Sequence, residues 1–238
     1  MSLGSRRCQI IAGRCELFVP ARAGWAPTSA AWTALASTPV LKDPGGIVAK
    51  LVYTAIASLD GFIEDEDGGF AWAMPDPEVH AYVNDLERNV GTHLYGRRMY
   101  ETMAVWQTVG LESAGPDTPG PAPEELDYAE VWRALDKVVY SRTLPEVRTP
   151  RTELRREFDP QAIHRLKETA DRDLSVSGPD LAQHAFAAGL VDEVHLYVFP
   201  VVVGGGKPGL PRGVRVWLTL LDERRFGNGV VHLRYARR

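Results

Sequence analysis

Three short polar segments stand directly after predicted β-strands, and their residue types suit an anion. The first contains Gly96, followed by Arg97 and Arg98 at the start of a predicted helix. Glycine lets a ligand approach the backbone, the first turn of a helix presents free N–H groups, and arginine forms bidentate bonds with phosphate oxygens. The segment predicts phosphate binding, and the alternative is a glycine turn with two solvated arginines.

The other two segments follow the same logic. Ser141-Arg142 places a hydroxyl and a guanidinium just past a strand end, although such runs are often plain loops. In Ser177–Leu181 a strand stops at Gly178 and Pro179 begins a helix, which would present N–H donors to a diphosphate. Asp180 is an unfavourable neighbour for an anion and could instead cap its own helix. Because parallel strands end at one sheet edge, the three segments together favour a nucleotide cofactor with several phosphates.

Several other site chemistries are not supported. The six histidines are scattered and no cysteine cluster exists, so no metal site is predicted. No Gly-x-Ser-x-Gly elbow is present, which argues against a serine hydrolase, and no Gly-x-Gly-x-x-Gly follows the first strand, which argues against a standard Rossmann site. The run Gly204-Gly205-Gly206-Lys207 looks like a phosphate loop but lacks the spacing and the trailing Ser or Thr of a Walker motif.

The composition is that of an ordinary globular protein. The 238 residues are 45% hydrophobic and 24% charged, with a net charge of −4. These values argue against disorder, and no apolar run approaches the roughly 20 residues of a membrane span. The mildly acidic balance argues against non-specific nucleic-acid binding. Both cysteines, Cys8 and Cys15, lie near the start, and a core without cysteine suits the reducing cytoplasm.

Residues 1–49 differ from the remainder in charge and composition. They carry a net charge of +3, and Ala, Pro, Ser, Thr and Gly dominate without helical or strand periodicity. The favoured interpretation is a disordered or non-native N-terminal extension. A targeting segment and an ordered arm that packs on the body are the alternatives. Residues 50–238 are predicted to form one domain.

From residue 50 onward, strands and helices alternate. The pattern predicts a mostly parallel sheet covered on both faces, and the Asn228-Gly229 pair predicts an antiparallel hairpin at one edge. The expected strands are Leu51–Ala57, Thr92–Tyr95, Lys137–Tyr140, Thr152–Glu157, Leu174–Ser177, Val194–Val203, Val214–Leu221 and Val230–Tyr235. The expected helices are 77–89, Arg97–Met103, Glu124–Leu135, Pro160–Ala170 and Pro179–Ala188, with Asp76 and Asp159 as caps and Gly189 closing the last.

Five motifs in order carry a family resemblance. They are Ala57-Ser58-Leu59-Asp60-Gly61, Gly96–Glu101, Ser141-Arg142, Gly178–Leu181 and Pro200–Gly206. The body resembles the dihydrofolate-reductase-like superfamily, and within it the branch of the riboflavin-biosynthesis reductase domain (the C-terminal domain of the bifunctional deaminase–reductase) and its stand-alone relatives. The resemblance implies a three-layer α/β/α fold, NADPH as hydride donor and a homodimer.

The resemblance also implies residue roles. Gly96, Arg97 and Arg98 would meet the cofactor phosphates, and Ser141 and Arg142 would lie near the 2′-phosphate. The diphosphate would be held by Ser177, Gly178, Pro179, Asp180 and Leu181, and the nicotinamide end would lie near Ala57 and Gly204–Gly206.

Some positions depart from the family pattern. The riboflavin reductases usually carry Lys where this chain has Thr54, and the zinc signature of the deaminase half is absent from this sequence. Dihydrofolate reductases place a pterin-binding acid where this chain has Pro77, with Asp76 and Glu78 on either side. This departure disfavours folate reduction, although a one-residue shift of the acid would restore the pattern.

Hydride transfer from NADPH requires positioning, desolvation and one proton source. Asp60, at the mouth of the first strand, is the first catalytic candidate, and a simple Asp-Gly turn is the alternative. Asp76 and Glu78 are second candidates, with helix capping as their alternative. The aromatic residues Phe62, Trp72, Trp106 and Phe199 could wall a pocket for a flat ring, or could be ordinary core packing.

The sequence therefore predicts an NADPH-dependent reductase of a small heterocyclic or carbonyl substrate, with the riboflavin precursor as one specific case. A non-catalytic nucleotide- or ligand-binding protein on the same fold is the main alternative, since fold does not fix function. A dihydrofolate reductase and a purely structural dimer are further alternatives.

Overall fold

The computed structural model describes residues 48–111 and 120–238. The N-terminal extension predicted over residues 1–49 thus lies outside the described residues, apart from its last two positions. Ala49 is buried, and its N–H donates to the carbonyl of Lys167 at 3.1 Å. The packed body therefore includes Ala49.

An eight-stranded sheet with the order β5-β4-β3-β6-β1-β7-β10-β9 forms the centre of the fold, beside a small sheet of β2 and β8. The pairs among β5, β4, β3, β6, β1 and β7 are parallel, and β10 and β9 are antiparallel. The strands are β1 Leu51–Ser58, β2 Phe62–Glu64, β3 Val90–Gly96, β4 Asp136–Tyr140, β5 Thr152–Arg155, β6 Asp173–Ser177, β7 Glu193–Phe199, β8 Lys207–Pro208, β9 Leu218–Arg225 and β10 Val231–Arg237.

Helices cover both faces of this sheet. The helices are α1 Pro77–Glu87, α2 Arg97–Met103, α3 Pro123–Ala134, α4 Pro160–Thr169 and α5 Pro179–Ala187. Their lengths are modest, and no described helix is both long and apolar enough to cross a membrane.

The core forms because β1 is apolar on both faces. Tyr53 is fully buried with Phe186 of α5 on one face, their rings meeting edge-on at 5.4 Å. On the other face Ile56 packs with Val79 of α1 and Phe199 of β7. A strand buried on both sides belongs in the middle of a parallel sheet, and the three-layer α/β fold predicted from the sequence is confirmed.

Local signals placed most helix ends correctly. Asp76 caps α1 by accepting from the N–H of Val79 at 2.9 Å, and Asp159 caps α4 by accepting from Gln161 at 2.9 Å. Gly189, with φ of +69°, follows the end of α5. These contacts favour the capping alternative for Asp76 over a catalytic role.

The last strands differ from the sequence-based boundaries. The long run Val194–Val203 was expected to be one strand, but β7 ends at Phe199 because Pro200 has no N–H to continue the ladder. The strand expected over Val214–Leu221 lies four residues later, at β9, where its pairing with β10 runs up to the Asn228-Gly229 turn. The antiparallel edge hairpin itself is confirmed.

Candidate functional site

A cleft of about 810 Å³ lies at the carboxyl ends of β3, β4 and β6. This is the edge of a parallel sheet at which ligands bind in α/β proteins. Nine of the predicted cofactor-binding residues line it. They are Gly96, Arg97, Arg98, Ser141, Arg142, Gly178, Pro179, Asp180 and Leu181.

Gly96 joins β3 to α2 without an intervening loop. Its φ of −74° is ordinary, and a Cβ there would meet only the Cβ of Leu181, at 4.0 Å. The fold itself therefore does not require glycine at this position. Since Gly96 lines the cleft, the missing side chain leaves room for a ligand to approach the backbone.

Gly178 is needed for a different reason. It precedes α5 with φ of +91°, a conformation that residues with a side chain rarely adopt. Pro179 follows at the first helical position, where its missing N–H removes no helical hydrogen bond. This local geometry starts α5 at the end of β6 and presents the remaining N–H groups of its first turn near the cleft.

The three predicted arginines of the cleft, Arg97, Arg98 and Arg142, have few partners among the described residues. Arg97 lies 3.7 Å from Glu101 and donates a long bond of 3.4 Å to Thr143. Arg98 and Arg142 are exposed, and no carboxylate of residues 48–111 or 120–238 lies within ion-pair distance of either guanidinium. The cleft therefore presents positive charge that an anionic ligand could neutralise.

The segment after β4 forms a tight turn. The Ser141 hydroxyl oxygen accepts from the N–H groups of Thr143 and Leu144, at 3.2 and 2.9 Å. Arg156 supports the turn by donating to the carbonyls of Ser141 at 3.1 Å and Leu144 at 2.6 Å. The sequence analysis missed Arg156, which also lines the cleft; the strand-end argument, applied to β5, would have found it.

Three aromatic rings stand beside the arginines on one wall of the cleft. Phe158 packs against Tyr140 and His184, with ring centroids 5.5 and 5.9 Å apart. The sequence pattern gave no sign of this group, because its members come from β4, the β5–α4 connection and α5. Such a wall suits a flat ring, for example a nucleobase.

Lys207, which follows the run of three glycines that resembles a phosphate loop, also lines the cleft. Its Nζ lies 2.8 Å from Asp180 Oδ2. Asp180 therefore pairs with Lys207 and makes no capping bond to its own helix. The ammonium group of Lys207 thus offsets part of the negative charge that Asp180 brings to the predicted anion site.

Asp60 lies outside the lining of the cleft. Its carboxylate accepts from the Ser58 hydroxyl at 2.6 Å and from the N–H groups of Val203 and Gly204 at 3.2 and 2.8 Å. The bond from Ser58 and then those from the two amides hold the pKa of Asp60 below its usual value. Asp60 thus ties the segment after β7 to the end of β1, which favours a structural role.

The remaining predicted cofactor residues lie beside the cleft. Ala57 is buried in β1, and Ser177 is the buried last residue of β6. Gly205 packs so closely on Glu66 that a Cβ would lie 2.5 Å from Oε1. None of these three lines the cavity, and neither does Gly204.

The predicted aromatic pocket is not brought together. Trp72 meets Phe199 edge-on at 6.4 Å under α1, whereas Trp106 packs on Tyr128 of α3 at 4.8 Å. Phe62 lies on β2, and Asp76 caps α1. None of these residues lines the cleft, because burial against neighbouring helices and strands determines where these rings lie. Within the described part of the chain, no group of three or more His, Cys, Asp or Glu residues could hold a metal ion.

Residues 49–232 match the family described as the RibD C-terminal domain. The chain belongs to this family. It is a reductase-domain family of riboflavin biosynthesis, and the resemblance inferred from the five motifs is confirmed.

The chain is also similar to individual proteins. The Bacillus subtilis protein YyaP is 28% identical over 188 residues, which cover 78% of this chain and 94% of YyaP. A Shewanella sp. PV-4 protein named for riboflavin biosynthesis has a TM-score of 0.60 at 20% identity, covering 79% of this chain and 99% of that one. The Thermotoga maritima diaminohydroxyphosphoribosylaminopyrimidine deaminase/5-amino-6-(5-phosphoribosylamino)uracil reductase has a TM-score of 0.54 at 14% identity, covering 80% of this chain and 57% of that one. The two structural matches show the same fold.

Proposed function

We propose that the protein is an NADPH-dependent reductase that transfers a hydride to a small heterocyclic or carbonyl substrate. The observation that carries the proposal is the cleft, in which Arg98 and Arg142 face a large cavity without a carboxylate partner among the described residues. Charged groups are normally paired or solvated, and a cavity lined by unpaired guanidinium groups suits a ligand with several phosphates.

The residues present fit such a cofactor. The backbone at Gly96 has open space above it, and Arg97 and Arg98 follow on the same rim. Two N–H bonds hold the oxygen of Ser141, so its hydrogen remains free to donate to a 2′-phosphate beside Arg142. The wall that contains Phe158 would take the adenine ring.

NADPH, when bound, supplies a hydride to the substrate. The chain's own residues bind and orient the cofactor and exclude water from the cleft, which is how a protein contributes most to this chemistry. The substrate gains a hydride and one proton, and NADP⁺ leaves. Asp60 is the first catalytic candidate of the sequence, but its three hydrogen bonds within the protein favour a proton supplied by another group or by water.

The family supports a riboflavin precursor, 5-amino-6-(5-phosphoribosylamino)uracil, as the specific substrate. The Thermotoga maritima neighbour carries this reductase activity in its name. Thr54 in place of the family's usual Lys is a reason to test other small carbonyl and heterocyclic substrates as well. We further propose a cytoplasmic homodimer, as the resemblance and the cysteine usage imply.

The test is single-turnover reduction with NADPH that carries deuterium on the transferred position. The full chain, NADPH and the riboflavin precursor are mixed, and the product is analysed by mass spectrometry. Deuterium in the product supports the proposal. NADPH that binds but is not consumed with any substrate of these classes rejects the reductase and leaves a cofactor-binding protein.

A non-catalytic nucleotide-binding protein is the second candidate. It is favoured by one observation, namely that the catalytic candidate Asp60 is engaged with the protein backbone and lies outside the cleft lining. Both candidates require the cofactor site, and only the transfer of deuterium separates them.

A further inference from the structure

The ion pair between Lys207 and Asp180 joins the small sheet to α5. Lys207 lies on β8, Asp180 is the second residue of α5, and both line the same cavity. The side chain of Lys207 is only 23% exposed, whereas that of Asp180 is 84% exposed. Packing therefore fixes the lysine stem, while the aspartate side chain has room to turn away from it.

Lys207 provides positive charge from a different part of the fold than the arginines. Arg97 and Arg98 belong to α2, and Arg142 and Arg156 follow β4 and β5. Among the described residues that line the cleft, Lys207 alone carries a positive charge from the small sheet of β2 and β8. Glu64, its partner in that sheet, also lines the cleft. Without Lys207, the only charged group that the small sheet contributes to this lining, among the described residues, would be the carboxylate of Glu64.

Asp180 occupies the place where an anion would meet α5. It follows Gly178 and Pro179 directly, in the segment assigned to the cofactor diphosphate. A diphosphate at this position would be repelled by the carboxylate of Asp180 and attracted by the ammonium group of Lys207. The two anions would compete for one cation.

We infer that Lys207 binds the diphosphate of the cofactor, and that Asp180 holds Lys207 in the free protein and is displaced when the cofactor binds. This inference rests on the NADPH site proposed above. It assigns a cofactor contact to Lys207 and an opposing role to Asp180, a residue that the sequence pattern places among the binding residues.

The inference predicts effects of opposite sign for the two partners of one ion pair. Lys207→Met removes the cation and should weaken NADPH binding about tenfold, as expected for one lost charge-assisted contact. Asp180→Asn removes the competing anion and should strengthen NADPH binding about threefold. If the ion pair only stabilised the packing of β8 against α5, both substitutions would remove the same interaction. They would then change the affinity for NADPH in the same direction.

The experiment is a calorimetric titration of NADPH into the full chain and four variants. Lys207→Arg keeps the cation and should bind within about threefold of the unmodified chain, which shows that any loss in Lys207→Met reflects charge. Asp136→Asn is the matched control, because Asp136 pairs with Arg151 at 2.9 Å at the amino end of β4, away from the cleft. Its affinity for NADPH should not change.

The possible failures are distinguishable. If the unmodified chain does not bind NADPH, the proposed function fails and the inference fails with it. If the unmodified chain binds NADPH but Asp180→Asn binds it more weakly or equally well, the inference alone is overturned. Unfolding curves of the same samples verify that each variant is folded at the titration temperature.

Discussion

The two edges of the parallel sheet use charge in opposite ways. At the amino end of β7, Glu193 is 6% exposed and is bonded to Lys50 at 2.6 Å, Arg234 at 2.8 Å and His195 at 3.3 Å. We call these four residues the buried carboxylate cluster. At the carboxyl edge, Arg98 lines the cleft, and no carboxylate of the described residues lies within ion-pair distance of it. Charged groups that pair with each other inside the protein stabilise the fold. Charged groups that face a cavity without a partner are available to a ligand.

The pKa of Glu193 records this internal pairing. Burial alone would raise the pKa, but the bonds from Arg234, Lys50 and His195 outweigh burial and lower it to about 2. A carboxylate with a depressed pKa stabilises the fold above its unfolded pKa of about 4.5. That contribution is lost as the pH falls from about 4.5 towards 2.

The largest effect is expected from breaking the buried carboxylate cluster. Glu193→Gln should lower the free energy of unfolding at pH 7 by about 2–4 kcal/mol, because Arg234 and its neighbours lose their shared counter-charge. Urea unfolding measures this change. Glu153→Gln is the matched control, since Glu153 bonds Arg155 at the same 2.8 Å but is 57% exposed, and it should cost about 1 kcal/mol or less.

The pH dependence sharpens the same test. The difference in unfolding free energy between the unmodified chain and Glu193→Gln should be largest above pH 4.5 and should shrink as the pH approaches 2. Titrating groups that do not interact with Glu193 are common to both proteins and cancel in the difference, whereas His195, which bonds Glu193, does not. If the difference in unfolding free energy stayed constant down to pH 2, the effect could not be assigned to the charge of the carboxylate.

The next effect in size belongs to the cleft. Replacing Arg97 and Arg98 together by Ala should weaken NADPH binding about 30- to 100-fold, as expected for two lost charge-assisted phosphate contacts. The free energy of unfolding should change by no more than about 0.5 kcal/mol, since these side chains support little of the fold. Fluorescence titration and urea unfolding measure the two quantities. Arg165→Ala, an exposed arginine of α4, is the control and should leave the affinity unchanged.

The smallest effect is expected at Asp60, where charge is used for local structure. Asp60→Asn weakens the bonds that hold Val203 and Gly204, so the amide hydrogens of these two residues should exchange several-fold faster. NADPH affinity should remain within about threefold. A large fall in turnover with unchanged amide exchange would instead return Asp60 to the catalytic residues.

The sequence could predict those features that depend on neighbouring residues. Short sequence segments determine the alternation of strands and helices, the caps at Asp76 and Asp159, and the Asn228-Gly229 hairpin. All of these features are observed. The cleft was partly predictable for the same reason, because parallel strands bring their carboxyl ends to one edge and so collect residues such as Arg97 and Arg142.

The rest depends on contacts between distant segments. Lys207 reaches Asp180 only because β8 pairs with β2, two strands of two and three residues that are too short to show a period. The aromatic residues give a similar lesson: Trp72 and Trp106 have the same side chain, but their packing partners, Phe199 and Tyr128, place them in separate groups. Residue type alone could not separate a pocket wall from core packing.

The central claim is that the arginine-lined cleft is a site for a phosphorylated dinucleotide. A direct test is a calorimetric titration of the unmodified full chain with NADPH and, separately, with NADH. We predict binding at one site per chain with a clear preference for NADPH, because Arg142 and Ser141, which line the cleft, are proposed to contact the additional 2′-phosphate. Binding of neither nucleotide, or equal affinity for both, would contradict it.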